Sequence, residues 1–157
     1  GSNQPLEDKI VEQYEYISQL PNNQGINEDV LNVVRSLRDK IKKGDFSNYT
    51  PRDSMLMGIS PQYWRFLSNY KTLEIIQDIN KPILVLQGAR DYQVTISEFE
   101  EWKKALAKNS QAQFKLYEDL NHLFIVGKGK ATPDEYMQPN FVSEQVINDI
   151  TLWIKKY

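Results

Sequence analysis

The sequence predicts an α/β fold in which a helical first part leads into a β-α-β-α unit with parallel strands, and three observations carry that expectation. Up to about Tyr70 the apolar residues recur at three- and four-residue steps and no convincing strand occurs. After Pro82 the run from Ile83 to Leu86 is continuously apolar, as in a strand buried on both faces of a parallel sheet. Gln113 to Tyr117 then alternates as a second strand, and each strand is followed by an amphipathic stretch of helical period.

Taken in order, Leu6, Ile10, Val11, Tyr14 and Ile17 share one face of a first helix, which Pro21 and Gly25 close. Asn27 or Asp29 caps a second helix with the stripe Val30, Leu31, Val34, Leu37 and Ile41. Lys42, Lys43 and Gly44 give it a basic last turn and a stop. Asp45 to Pro61 is turn-rich, and a short aromatic helix with Tyr63, Trp64 and Phe66 follows. A further short helix is expected over Thr72 to Gln77. In the second half, Ser97 to Lys108 reads as a helix that turns Phe99, Trp102 and Leu106 to the sheet. The last helix, from about Val142 to Lys156, is expected to bury Val146, Ile150, Trp153 and Ile154. The division falls near residue 70, with 1–70 helical and 71–157 carrying the strands.

Composition excludes several classes of function. Nineteen Lys and Arg stand against twenty-one Asp and Glu, a net charge of -2, so no basic face is expected for nucleic acid. No apolar run approaches the roughly 18 to 20 residues of a membrane span. Zero Cys removes thiolate chemistry and disulfides, and a single His leaves a metal site dependent on carboxylates, so neither a metal nor a cofactor is expected. The opening Gly1-Ser2 reads as a remnant of expression cloning, so a targeting segment and the compartment, cytoplasmic or secreted, stay open.

The residues that carry chemistry are Asp91 and His122. Each stands just past an apolar strand, where an open α/β sheet gathers its functional groups. Gly88 lets the chain turn out of the first strand, and Asn121 suits the turn that leaves the second. An Asp that orients a His supplies two members of a nucleophilic triad: the His takes the proton of a nucleophile, and the Asp holds its tautomer.

These segments, Pro-Ile-Leu-Val-Leu-Gln-Gly-Ala-Arg-Asp-Tyr-Gln-Val and Phe-Lys-Leu-Tyr-Glu-Asp-Leu-Asn-His-Leu-Phe, resemble the C-terminal part of an α/β-hydrolase of the dienelactone-hydrolase or serine-aminopeptidase-like type. The resemblance implies a partial α/β-hydrolase fold with Asp91 as acid, His122 as base and the first 70 residues as a lid. It also implies a small ester, thioester or amide substrate. In that family the nucleophile sits in a Gly-x-Ser-x-Gly elbow upstream of acid and base. No such motif occurs here; Ser54 and Ser60 lack both the glycines and a preceding strand. The expectation is therefore a C-terminal hydrolase fragment, inactive alone, whose missing serine lies upstream of residue 1. The alternative is a non-catalytic binding or assembly module built on the same fold.

Other candidates carry blander readings. Tyr63, Trp64 and Phe66, with Met55, Leu56 and Met57, line a substrate pocket or form the core of the lid with equal weight. Asp119 could pair with Asp91 in glycoside chemistry but is expected to be solvated. Gly127 to Thr132 departs from a phosphate-binding loop and reads as mobile. Two strands also leave an apolar edge open, so self-association is expected.

Overall fold

The computed structural model describes residues 3–44 and 56–157. These fall into two compact units, one reaching to Lys71 and the other spanning Thr72–Tyr157. The turn-rich stretch before Leu56, with Ser54 and Met55, lies outside the described residues.

The first unit is helical. Helix α1 (Leu6–Ser18) and helix α2 (Glu28–Lys43) pack together, and the ends of α2 follow local chemistry. The Asn27 side chain accepts the Val30 N–H at 3.1 Å, satisfying one of the donors a helix start leaves open. Gly44 closes α2 with φ 65°, a left-handed position where a side chain is strained. Arg35 reaches back from α2 to Glu15 of α1, and Lys42 pairs with Asp8. Helix α3 (Pro61–Asn69) begins with Ser60, whose hydroxyl accepts the Tyr63 N–H, and with proline at its first position. The core is Ile41, Leu56 and Trp64, with Leu6, Ile10 and Leu37 packed against it.

The second unit holds α4 (Thr72–Gln77), β1 (Ile83–Gly88), α5 (Ile96–Ala105), β2 (Ala112–Tyr117), a 3-10 turn (Pro133–Met137) and α6 (Glu144–Lys156). Strands β1 and β2 are parallel neighbours, with Ile83 opposite Ala112 and Gly88 opposite Tyr117, so they end level. The pleat sends alternate side chains of β2 to opposite faces. Phe114 meets Phe99 of α5 edge-on, with ring centroids 6.0 Å apart, whereas Lys115 and Tyr117 both reach Asp149 of α6. Tyr117, Leu120 and Val146 form the core on the α6 side, with Leu86 and Phe124 against it.

Two expectations about burial need correction. Ile83 to Leu86 is only half-buried, not buried on both faces. In α6 Val146 alone is buried; Ile150 and Ile154 are exposed and Trp153 is half-buried. The reason is geometric: a pair of strands presents a face too narrow to cover the apolar stripe of a helix of this length. The two-residue difference at the start of α6, and α5 ending at Ala105 before a turn, are end effects of helix assignment.

Candidate active site

The level strand ends bring together the loops that follow them. Gly88, the last residue of β1, backs directly onto the chain leaving β2. A Cβ there would lie 2.6 Å from the Asn121 carbonyl oxygen and closer still to that of Leu120. Only glycine allows that approach. The Arg90 N–H donates to the Leu120 carbonyl at 3.0 Å and the Ala89 N–H to that of Tyr117 at 2.8 Å, so the two loops are joined through their backbones.

Asp91 sits in this junction with its carboxylate fully used. One oxygen, Oδ1, accepts the N–H groups of Gln93 at 2.7 Å and Val94 at 3.0 Å, the local turn a short carboxylate makes with its own backbone. The other, Oδ2, faces His122 Nδ1 at 2.8 Å, with the Gln87 amide 3.4 Å away. The Gln87 amide also donates to the carbonyl of Val94 at 2.8 Å, fixing the loop from beneath. The following helix takes its cap elsewhere: the Glu98 carboxylate accepts the Thr95 N–H at 2.8 Å. Asp91 is thus spared for His122.

His122 is set by the residue before it. Asn121 is completely buried, and its side-chain oxygen accepts the N–H groups of Leu123 and Ile125 at 3.0 and 3.1 Å. The loop closes tightly enough to put Phe124 at φ 57°. The resulting pair is asymmetric, with an Asp91 side chain 4% exposed and a His122 side chain 39% exposed. Against a carboxylate, Nδ1 is the donor, which leaves the lone pair on Nε2. The hydrogen bond to Asp91 raises the His122 pKa above its usual 6.5; partial burial opposes the shift, and the Asp91 charge adds to it. A buried acid that orients an accessible base can move a proton to and from a nucleophile.

Three residues of this site escaped the sequence reading: Arg90, Asn121 as a buried anchor, and Glu135. The run from Gly127 to Thr132 also differs from its expectation. It is not a free loop but folds around the Arg90 guanidinium, which donates to the carbonyls of Gly129 at 2.6 Å and Lys128 at 3.2 Å. A loop that turns carbonyls inward is suited to a cation, the opposite of a phosphate cradle. Tyr136, on the 3-10 turn beyond, has its pKa raised by burial, with the charges of Asp91 and Glu135 adding to the effect. Its ring lies beside Tyr92, with centroids 6.3 Å apart.

In the helical unit the four expected pocket residues separate. Trp64 is fully buried, with its indole N–H donating to the Leu56 carbonyl at 3.0 Å. Tyr63 and Phe66 are about half exposed and stack with centroids 5.9 Å apart. Met57 lines a groove of about 540 Å³ with Ile10, Tyr14, Val30, Val33, Val34 and Leu37, where Asp29 is the one charged residue among the described lining. No helix among the described residues is long and apolar enough to cross a membrane.

With strands, crossover and the hydrogen-bonded Asp91–His122 pair in place, the class is that of the α/β-hydrolases, represented here by part of the fold. The chain belongs to the prolyl oligopeptidase family, whose model matches residues 13–145. It is 33% identical over 152 residues to Esterase EstD of Thermotoga maritima, an alignment covering 97% of this chain and 35% of that protein. The chain therefore spans about a third of the length of this curated relative. No solved structure matches it significantly.

Proposed function

We propose that this chain is the acid–base part of a serine hydrolase that cleaves esters, thioesters or small amides through an acyl-enzyme. The observation that carries the reading is the 2.8 Å hydrogen bond between buried Asp91 and accessible His122, on loops leaving adjacent parallel strands. Asp91 holds the imidazole with its proton on Nδ1 and stabilises the imidazolium. His122 Nε2 takes the hydroxyl proton of the nucleophile during attack on the carbonyl and returns it to the leaving oxygen, sulfur or nitrogen as the acyl-enzyme forms. The same nitrogen then activates the water that releases the acid. Membership of a hydrolase family supports the reaction, and the esterase relative supports an ester as substrate.

The nucleophile comes from residues other than these. No serine of this sequence stands in a Gly-x-Ser-x-Gly elbow, and Ser60 is engaged as a helix cap. The helical unit acts as the lid: the Tyr63 and Phe66 rings and the groove beside Met57 offer apolar surface to a substrate, and Trp64 supports them from the core. A fluorophosphonate probe is expected to leave this chain unlabelled, and simple esters to remain uncleaved. Stoichiometric labelling at any of its serines would reject the split of nucleophile from acid and base.

On its own the chain is expected to self-associate. The outer edges of β1 and β2 have no further strand among the described residues, and α6 exposes Ile147, Leu152 and Ile154. Light scattering at rising concentration should show growth beyond a monomer; a monodisperse monomer at high concentration counts against it.

A further inference from the structure

We propose that Glu135 is a positioning residue for the Asp91–His122 pair, acting through a clasp that joins the residue before the acid to the residue before the base. One oxygen of its carboxylate pairs with the Arg90 guanidinium; the other accepts the Asn121 side-chain N–H at 3.0 Å. Arg90 directly precedes Asp91 and Asn121 directly precedes His122, so one carboxylate sets the spacing of both loops. The inference rests on the reading of Asp91 and His122 as acid and base.

The construction around the clasp is that of a device for position and not of a surface ion pair. Arg90 is 5% exposed and Asn121 fully buried, so little solvent competes for either. Besides Glu135, the guanidinium holds the carbonyls of Lys128 and Gly129, and the Arg90 carbonyl accepts the Ala131 N–H at 3.1 Å. A Cβ on Gly127 would overlap the guanidinium, so the loop has been cut to fit it. Glu135 is delivered by the 3-10 turn Pro133–Met137, 45 residues beyond Arg90 and 14 beyond Asn121. A buried cation fixed by a fork of hydrogen bonds resists displacement, because moving it would strand several polar groups without partners. None of these groups needs to touch substrate. Their effect on chemistry is the length and direction of the bond between Asp91 and His122.

The chain contains a single histidine, so its imidazole can be followed by NMR without ambiguity. In Glu135→Gln the carbonyl oxygen can serve only one partner, and the amide turns a donor towards the other. The expected result is that the His122 titration midpoint falls part of the way from its wild-type value to that of Asp91→Asn, and that the low-field Nδ1 proton signal weakens or is lost. Asp149→Asn serves as a control for mere loosening, since it removes the charge that pairs with Lys115 and leaves one oxygen where Tyr117 and Lys115 each had their own, in the same unit and without a direct contact to either loop. It should lower the melting temperature and leave the His122 signals as they are. A folded Glu135→Gln chain whose His122 midpoint and Nδ1 signal match wild type overturns the proposal, whatever becomes of a more drastic Glu135→Ala. Because the readout is geometry and not turnover, it separates the two readings. A hydrolase assignment that failed would leave this result standing, and a failed clasp would leave the hydrolase untouched.

Discussion

Asp91→Asn is expected to return the His122 titration towards that of an ordinary histidine and to invert the imidazole tautomer. The loop decides which oxygen is lost. Oδ1 accepts two backbone N–H groups, from Gln93 and Val94, so the asparagine must keep its carbonyl oxygen there. Its amide nitrogen then replaces Oδ2 and points a donor at His122 Nδ1. The ring answers by moving its proton to Nε2, the nitrogen that has to accept one. In an enzyme using this pair the expected cost is on the order of 10⁴-fold in kcat, with little change in fold.

The pH dependence follows from the direction of the shift. In the wild type the folded-state pKa of His122 is raised above 6.5, so the pair stabilises the fold fully below the unfolded value and loses that contribution as pH rises through the folded pKa. Catalysis has the opposite need: the base must be neutral, so the acid limb of a rate profile should lie above 6.5 and move down in the variant. Long-range ¹⁵N–¹H spectra of the single imidazole report both tautomer and titration. A variant that retains an Nδ1 proton and the wild-type midpoint would show that Asp91 does not orient His122.

Gly88→Ala should be among the most damaging single-methyl additions in the Thr72–Tyr157 unit. The added carbon would lie against two main-chain carbonyl oxygens, of Leu120 and Asn121, neither of which can rotate away. Relief requires the His loop to move bodily. That movement would break the Arg90 N–H bond to Leu120 and pull Asn121 from Glu135. Overpacking of this kind costs about 1–3 kcal/mol or more, and each kcal/mol lowers Tm by roughly 4–8 °C in a unit of this size. Gly44→Ala gives the contrast, since its position has open space and carries only the left-handed backbone penalty of about 1 kcal/mol. Thermal melts of both variants, with the His122 titration of the first, test the argument. Equal melting temperatures with an unshifted His122 would mean the loops do not depend on this contact.

The elements were readable where the information is local. Asn27 and Gly44 mark the ends of α2 because a cap and a left-handed stop act over a few residues, and the continuous run before Asp91 marks β1 because parallel strands are apolar throughout. The pairing of Asp91 with His122 was readable for a related reason: two side chains placed just past parallel strands of the same length must face the same end of the sheet. The clasp was not. Arg90 and Glu135 are 45 residues apart, and nothing in Gly-Ala-Arg-Asp distinguishes a buried arginine from an exposed one. Trp64 had two readings, pocket or core, and the 3.0 Å bond of its indole to Leu56 places it in the core.

What the sequence by itself determined is thus the order and kind of the α-helices and strands and the two residues, Asp91 and His122, that stand at the strand ends, since period, caps and strand ends are written in neighbouring residues. The tertiary structure alone decided how the pair is held. It turned Gly88 from a flexible turn into a point of contact, converted a presumed loose loop into a sheath for Arg90, and left the stripe of α6 half uncovered. Each of those outcomes depends on which surfaces meet across long separations in the chain, and burial is a property of the meeting, not of the residue.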